Sequence, residues 1–117
     1  MVAVVEDDES YRLAIQRLLK SAGFSVQSFQ CAEDFLNSGC QQQTGCLIAD
    51  IRMPGMSGLE LQAKLKADRF NIPIIFITAH GDARVRMHAM REGAAEFLVK
   101  PFDDQVLLNR VRAALDI

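Results

Sequence analysis

The chain has 117 residues, a formal net charge of −2 and 50% apolar residues, which fits one compact domain over residues 1–117 with a substantial core. The nearly balanced charge argues against nucleic-acid binding by this segment, because proteins that bind a duplex usually carry a basic face. Nothing resembles a signal peptide and no apolar run approaches the roughly 20 residues of a membrane helix, so we expect a soluble, cytoplasmic protein that is not bound to a membrane.

The first half of the chain alternates short apolar runs with segments of helical periodicity. The run Val2–Val5 predicts a buried strand, and apolar residues at helical spacing then predict a helix that Ser10 caps and Gly23 ends. Residues 24–29 alternate between apolar and polar, as in a half-exposed edge strand. Ala32–Ser38 are predicted to form a short helix, which the following glycine closes.

The second half of the chain repeats this alternation. Residues 46–49 predict a buried strand, and the next helix is expected to begin near Ser57. Residues 72–78 form the most apolar predicted strand, which precedes a helix over residues 82–91 with its N-cap at the first of them. Residues 95–99 predict a fifth strand. The last helix is marked by apolar residues at helical spacing: Leu107, Leu108, Val111, Ala114 and Leu115.

The three cysteines, Cys31, Cys40 and Cys46, carry no sign of a metal or disulfide framework. Their number is odd and no CxxC pair is present, which argues against zinc and against structural disulfides. We expect free thiols in a reducing cytosol, used as small apolar residues.

Strands that alternate with helices predict a parallel sheet, because parallel neighbours need crossover connections. Right-handed crossovers place helices on both faces, so central strands should be continuously apolar. The first, third and fourth predicted strands have this character, whereas the second alternates and belongs at an edge. We therefore predict an α/β fold with a doubly wound five-stranded parallel sheet of order 2-1-3-4-5, as in flavodoxin.

Acidic, hydroxyl and basic residues stand at the carboxyl ends of these strands. Glu6 and Asp7 follow the first strand, Asp50 follows the third, Thr78 ends the fourth and Lys100 follows the fifth. Ligands bind at this edge where the strand order reverses, so the first and third strands should bring their carboxylates together. Clustered carboxylates repel unless a cation intervenes, and Mg²⁺ binds carboxylates and phosphate oxygens. The combination predicts a phosphoryl-transfer site.

Each of these residues has a simpler interpretation when it is taken alone. The acids after the first strand could cap the first helix, whose N-terminus favours negative charge. Asp50 could form a turn before a Pro-Gly pair. Thr78 could simply end a strand, and Lys100 could be a surface lysine. Their joint arrangement at the ends of four strands is what favours a site.

At these residues the sequence resembles the receiver domain of two-component response regulators, and the NarL/FixJ-like family in particular. The resemblance covers the whole chain, through the segments VVEDDE, DIRMPGMSGLEL, ITAHGD and GAAEFLVKPF. It implies the flavodoxin-like (βα)5 receiver fold and a domain that a histidine kinase phosphorylates in the presence of Mg²⁺.

The resemblance implies a role for each matching residue. Asp50 matches the aspartate that accepts the phosphoryl group and also binds the metal. Glu6 and Asp7 match the acidic pair that holds Mg²⁺, with Asp7 a direct ligand and Glu6, where aspartate is commoner, acting through water. The backbone carbonyl of Arg52 matches the group that completes the metal shell. Thr78 matches the switch hydroxyl that hydrogen-bonds the phosphoryl group.

Further positions match residues that stabilise or report the phosphorylated state. Lys100 matches the lysine that pairs with the phosphoryl oxygens, and its bond to Pro101 matches a peptide bond that is usually cis. Phe97 matches the aromatic switch residue and replaces the frequent tyrosine, so its inward movement forms no hydroxyl hydrogen bond. Arg52 and His80 match flanking positions that tune the lifetime of the phosphoryl group, although His80 alone could be an exposed loop residue.

The predicted function is a phospho-acceptor switch that assists its own phosphorylation and is not a turnover enzyme. Phosphorylation should remodel the surface of the fourth helix, fifth strand and fifth helix, which then docks a second copy or an output domain. By analogy with the family, we expect control of transcription through a C-terminal helix-turn-helix domain absent from this chain, and no DNA binding by the receiver domain itself.

Three alternatives stay open from the residues. A pseudo-receiver could act as an interaction module without phosphorylation, although all the expected site residues are present. A phosphatase of the haloacid dehalogenase type needs a second acid two residues after its nucleophile, where this chain has Arg52. A flavin or dinucleotide binder should carry GxGxxG after the first strand, and the chain has none there.

Overall fold

Five parallel strands form one sheet in the computed structural model, which describes residues 1–117. The strands are β1 (Val2–Val5), β2 (Val26–Phe29), β3 (Cys46–Asp50), β4 (Ile74–Thr78) and β5 (Glu96–Val99). They pair in the order β2-β1-β3-β4-β5, and every pair is parallel. This order confirms the predicted doubly wound, flavodoxin-like fold and places the alternating β2 at an edge.

Five α-helices cover the two faces of this sheet. They are α1 (Glu9–Ser21), α2 (Ala32–Ser38), α3 (Gly58–Ala67), α4 (Ala83–Arg91) and α5 (Asp104–Leu115). A short 3₁₀ helix, Gln41–Gln43, lies between α2 and β3. None of these helices combines the length and the apolar character that crossing a bilayer requires.

The sheet separates two apolar clusters, because successive strand residues point to opposite faces. On one face, Leu19 of α1 and Leu107 of α5 pack with residues of β1, β3 and β4. On the other face, the cluster includes Phe35 of α2, Leu61 of α3 and Ala89 of α4. Every residue of β1, β3 and β4 is buried, which is why these strands are apolar without alternation.

Helix α1 begins ahead of its predicted cap. The sequence predicts Ser10 as the N-cap, but α1 begins at Glu9 and Asp8 is the N-cap, so that prediction was wrong. The Asp8 Oδ1 atom accepts a hydrogen bond from the backbone N–H of Tyr11 at 3.0 Å, which satisfies a free amide of the first helical turn. The Asp8 side chain therefore caps α1.

Three strands are shorter than the sequence pattern predicts. β2 begins at Val26 rather than residue 24, β4 at Ile74 rather than residue 72, and β5 at Glu96 rather than residue 95. Before β4, Pro73 has no backbone N–H and cannot donate within the ladder, although its carbonyl accepts a 2.9 Å bond from β3. β3 is one residue longer than predicted and ends at Asp50.

The remaining predicted helix boundaries are confirmed. Ser57 caps α3 in a reciprocal capping box with Glu60, and the Asp82 side chain caps α4. Gly23 and Gly39 follow α1 and α2 with φ values of 92° and 76°. This left-handed conformation suits glycine, which has no Cβ to clash with the backbone.

The three cysteines are free thiols, as predicted. Cys46 is fully buried in β3, and this burial raises the pKa of its thiol to about 12. Its side chain therefore acts as a small apolar residue of the core. Cys31 and Cys40 are partly exposed.

Candidate functional site

The carboxyl ends of β1 and β3 meet at one edge of the sheet. These strands are direct neighbours, with Val5 paired to Ala49, so the residues that follow the pair lie side by side. Carboxylate oxygens of Glu6, Asp7 and Asp50 lie within 4.8 Å of one another. The structure thus brings together the three acids that the sequence predicts to converge.

The three acids differ in their access to solvent. Glu6 is fully buried, Asp50 is 7% exposed and Asp7 is exposed. Because burial disfavours an ionised carboxyl, Glu6 and Asp50 need positive charge or hydrogen bonds to remain charged. Asp7 lies on the open side of the cluster, where an ion or a phosphorylated group has access from solvent.

Lys100 supplies positive charge to the two buried acids. It follows β5 directly, and its Nζ atom lies 2.5 Å from Glu6 Oε1 and 2.9 Å from Asp50 Oδ2. Its peptide bond to Pro101 is cis, as predicted. Burial lowers the pKa of the Lys100 amine, but the hydrogen bonds to both carboxylates outweigh burial and leave the pKa raised. Lys100 is therefore a permanent cation shared by two acids.

A single lysine does not fully compensate two buried acids. Burial raises the pKa of Glu6 to about 7, an effect that the hydrogen bond from Lys100 opposes and the charge of Asp50 reinforces. A further positive charge beside Glu6 would favour its ionised form and so offset the effect of burial. The oxygen donors of Glu6, Asp7 and Asp50 are also those that a hard divalent cation prefers. The residues present therefore fit a Mg²⁺ ion at this position.

The Asp50 carboxylate is held at both of its oxygens. Oδ1 accepts a hydrogen bond from the backbone N–H of Arg52 at 3.2 Å, and Oδ2 accepts one from Lys100 Nζ. The Arg52 side chain is exposed, so the contact of this residue with Asp50 is made by its backbone. These two contacts fix the direction of a carboxylate that ends a fully buried strand.

Thr78 ends β4 beside β3, as predicted, but its hydroxyl is hydrogen-bonded to the following loop. Oγ1 accepts a hydrogen bond from the backbone N–H of His80 at 3.1 Å and donates to the His80 carbonyl at 3.3 Å. Thr78 is 1% exposed, whereas the His80 side chain is exposed. The hydroxyl thus links the end of β4 to the loop before α4, and no hydrogen bond joins it to Asp50.

Phe97 lies in β5 with its backbone paired to Phe76 of β4. It is 3% exposed and belongs to the apolar cluster on the side of α2, α3 and α4. The Phe97 ring is therefore buried in this structure. The role of Phe97 as a moving switch residue stays a prediction.

Gly58 contributes to the site and was missed by the sequence reasoning. Its N–H donates to the Ile51 carbonyl at 2.8 Å, and a Cβ atom on Gly58 would lie 2.2 Å from the backbone oxygen of Asp50. Only a residue without a side chain lets α3 begin this close to the end of β3. In the sequence, this glycine is indistinguishable from the loop glycine Gly55.

Tyr11 was also missed, because helical spacing assigns it to the apolar face of α1. Lys100 Nζ lies 4.3 Å from the centroid of the Tyr11 ring. Spacing along the chain gives no sign of this contact, since it depends on how α1 packs against the segment that follows β5. Tyr11 is therefore a neighbour of the site that only the folded chain reveals.

One family model and several curated proteins match this chain. The family model for the response regulator receiver domain matches residues 2–112. Nodulation protein W of Bradyrhizobium diazoefficiens is 47% identical over 116 residues, which cover 99% of this chain and 51% of that protein. The transcriptional regulatory protein FixJ of Azorhizobium caulinodans is 43% identical over 114 residues, which cover 97% of this chain and 54% of that protein. The chain thus spans about half the length of these curated relatives.

Two solved structures with substantial sequence identity have the same fold as this chain. The response regulator StyR superimposes with a TM-score of 0.91 and 52% sequence identity, over 98% of this chain and 58% of that chain. The crystal structure of FixJ-N superimposes with a TM-score of 0.89 and 39% identity, over 98% of this chain and 92% of that chain. These likenesses confirm the resemblance drawn from the sequence motifs.

Proposed function

The chain belongs to the response regulator receiver domain family of two-component signalling, and we propose that Asp50 accepts a phosphoryl group from a histidine kinase. The observation that carries this proposal is the position of the Asp50 carboxylate. It stands at the carboxyl end of β3, within 4.8 Å of two further acids and 2.9 Å from Lys100. A nucleophile, a cation and a metal-binding acid cluster are the parts that phosphoryl transfer requires.

The transfer uses the ionised carboxylate of Asp50 as the nucleophile. One of its oxygens attacks the phosphorus of phosphohistidine in line, and the P–N bond breaks as the P–O bond forms. The imidazole leaves with the bonding electron pair. The hydrogen bonds from Arg52 N–H and Lys100 hold the carboxylate in place before attack, and Lys100 is close enough to neutralise the oxygens of the transferred group.

The acid cluster would hold a Mg²⁺ ion during this reaction. The carboxylates of Glu6, Asp7 and Asp50 and the backbone carbonyl of Arg52 are its proposed ligands, with Glu6 acting through water. When bound, the ion supplies positive charge that screens the attacking carboxylate from the phosphoryl oxygens. The support is the all-oxygen donor set and the raised pKa of Glu6.

We propose Thr78 and Phe97 as the residues that convert phosphorylation into a change of surface. A phosphoryl group on Asp50 offers the Thr78 hydroxyl a charged acceptor in place of the His80 backbone, which would draw the loop before α4 toward the site. Phe97 then fills the space behind Thr78. Arg52 and His80 stand two residues after Asp50 and Thr78, and their side chains are exposed. We propose that these two side chains set the lifetime of the phosphoryl group.

The surface formed by α4, β5 and α5 is the proposed docking surface for a second copy of this domain. Its support is a set of exposed apolar side chains, Met87 at 61%, Val99 at 42% and Val106 at 36%. The similar protein FixJ of Azorhizobium caulinodans is named a transcriptional regulatory protein. We therefore propose that this receiver controls transcription through DNA-binding residues outside these 117 positions.

A phosphorylation-independent interaction module is the alternative function, and incubation with acetyl phosphate and Mg²⁺ separates the two. We expect intact-mass spectrometry to show the gain of one phosphoryl group, which Asp50→Asn abolishes. Asp68→Asn, which changes an exposed acid in the ion pair with Lys64, should leave the gain intact. Fluorine NMR with beryllofluoride, a phosphoryl mimic, gives a second reading of the same site. A protein that gains no phosphoryl group and binds no beryllofluoride would favour the interaction module.

A further inference from the structure

Lys100 is held on one side by carboxylates and on another by an aromatic face. Its Nζ atom bonds to Glu6 and Asp50 and lies 4.3 Å from the Tyr11 ring centroid. An ammonium group has three N–H donors, and the two carboxylates occupy two of them. The electron-rich face of the Tyr11 ring contacts the ammonium group on the side that the carboxylates leave open.

The Tyr11 ring is itself fixed by two parts of the fold. Its backbone N–H donates to the α1 cap residue Asp8, which ties the ring to the helix start that directly follows the acidic pair. Its ring meets the ring of Phe102 edge-on, with centroids 6.1 Å apart and an interplanar angle of 68°. Phe102 stands two residues after Lys100, so the aromatic pair joins the start of α1 to the segment that carries the lysine.

We propose that Tyr11 is a positioning residue that holds Lys100 Nζ over the Asp50 carboxylate and thereby sets the rate at which Asp50 gains and loses a phosphoryl group. The rate effect rests on the proposed function of Asp50, whereas the position of Lys100 does not. The contact depends on the ring and not on the hydroxyl, because the ring face is what meets the ammonium group. A phenylalanine at position 11 should therefore still hold Lys100 in place, whereas an aliphatic side chain should not.

Three variants of Tyr11 distinguish the effect of its aromatic ring from the effect of its apolar volume. Tyr11→Phe keeps the ring, Tyr11→Leu removes it, and Tyr11→Met is a second aliphatic variant in case the leucine protein does not fold. Leu18→Ala removes apolar packing from the same helix, at a residue about two turns from Tyr11 that packs against the cluster of α1 and α5. It should lower the melting temperature without altering phosphorylation.

The first measurement follows phosphorylation by acetyl phosphate over a range of donor concentrations. We expect Tyr11→Phe to stay within about twofold of the parent rate, and the aliphatic variants to lose about 2- to 30-fold in the maximal rate. Half-saturating donor concentration should change little, because Tyr11 acts on Lys100 and not on the donor. Equal losses in Tyr11→Phe and Tyr11→Leu would assign the effect to the hydroxyl and overturn the proposal.

The second measurement reads the position of Lys100 without any phosphorylation. In NMR spectra, the ε-methylene protons of Lys100 should be shifted upfield by the Tyr11 ring relative to those of Lys20 and Lys64. This shift should persist in Tyr11→Phe and vanish in the aliphatic variants. Folded aliphatic variants that keep both the parent rate and the parent shift would overturn the proposal. An upfield shift in a protein that does not phosphorylate would leave the positioning intact and reject the function of Asp50.

Discussion

Lys100 is the residue on which the electrostatics of the site depend. It lies between two carboxylates that are almost completely buried, and its own side chain is 13% exposed. A buried carboxylate that loses its cation keeps the cost of desolvation without the compensating attraction. Removal of Lys100 should therefore cost more stability than removal of any other side chain of the site, because it leaves two buried acids without a cation.

Replacing Lys100 with methionine should lower the free energy of unfolding by about 2 kcal/mol near pH 8. The loss should shrink near pH 5, where Glu6 can protonate and needs no cation. Urea denaturation at both pH values measures this difference. Lys64→Met is the matched control, because Lys64 forms an exposed ion pair with Asp68 and should cost little at either pH. An equal loss at both pH values for Lys100→Met would contradict the account.

Glu6 should make the stability of the metal-free protein depend on pH. Burial raises its pKa from 4.5 to about 7, so its contribution favours the folded state fully below its unfolded pKa and is lost as the pH rises through about 7. We therefore expect the melting temperature of the metal-free protein to fall between about pH 5 and about pH 8. Glu6→Gln should flatten this part of the profile.

Mg²⁺ affinity should rise with pH, whereas the melting temperature of the metal-free protein should fall. The ion needs ionised carboxylates, so proton release from Glu6 accompanies binding and affinity should rise as the pH increases through about 7. Calorimetric titration in buffers of different ionisation enthalpy counts the released protons. An affinity that is constant between pH 6 and pH 8 would show that Glu6 is already ionised in the metal-free protein.

At the scale of elements, the junction between β3 and α3 fixes the backbone of the phospho-acceptor. Ser57 caps α3 with a capping box, and Gly58 brings the first turn of that helix against the Asp50 backbone oxygen. The cap was predictable, because Ser57 and Glu60 have the spacing of a capping box. The close approach was not, because local pattern does not tell which glycine meets another strand.

Gly58→Ala should destabilise the fold and displace Asp50. The added methyl group would lie 2.2 Å from a backbone oxygen, which side-chain rotation cannot relieve, so we expect a loss of about 3 kcal/mol. Gly45→Ala is the control, because its methyl group meets the movable end of the Leu115 side chain at 2.7 Å. Urea denaturation gives the stability, and the acetyl phosphate rate reports the position of Asp50. A Gly58→Ala protein of parent stability and rate would be inconsistent with this geometry.

The same difference between local and non-local signals explains what the sequence could predict of the elements. Strands β1, β3 and β4 were recognised because burial on both faces makes them uniformly apolar. The start of β4 was placed too early, because Ile72 is apolar but precedes a proline that cannot donate within the ladder. The α1 cap was misplaced at Ser10 because two potential capping side chains stand close together and the backbone conformation chooses between them.

At the scale of the whole molecule, the sheet order converts distant sequence segments into one site. Residues 6, 50 and 100 stand at the ends of β1, β3 and β5. The rule that ligands bind where strand order reverses was enough to predict that the carboxylates after β1 and β3 meet. The rule gives the edge of the sheet and not the contacts made there. The sharing of Lys100 between two acids and the Tyr11 ring beside it follow from packing that only the folded structure contains.

Self-association after phosphorylation is the prediction that belongs to the whole domain. Met87→Lys places a charge on the most exposed apolar side chain of α4, which is 61% exposed. It should weaken a phosphorylation-dependent dimer by about tenfold or more while phosphorylation proceeds at the parent rate. Leu13→Lys on α1, where the parent residue is 37% exposed, is the matched control. Light scattering of both phosphorylated variants measures the effect, and equal dimer strength would exclude Met87 from the interface.

Mapping the modified residue tests the central claim most directly. The protein is incubated with acetyl phosphate and Mg²⁺, treated with sodium borohydride, which reduces an aspartyl phosphate to homoserine, and sequenced by tandem mass spectrometry. The account predicts homoserine at position 50, within the peptide that contains the end of β3, and nowhere else. Homoserine at position 7, or a stable phosphate on a residue other than Asp50, would contradict it.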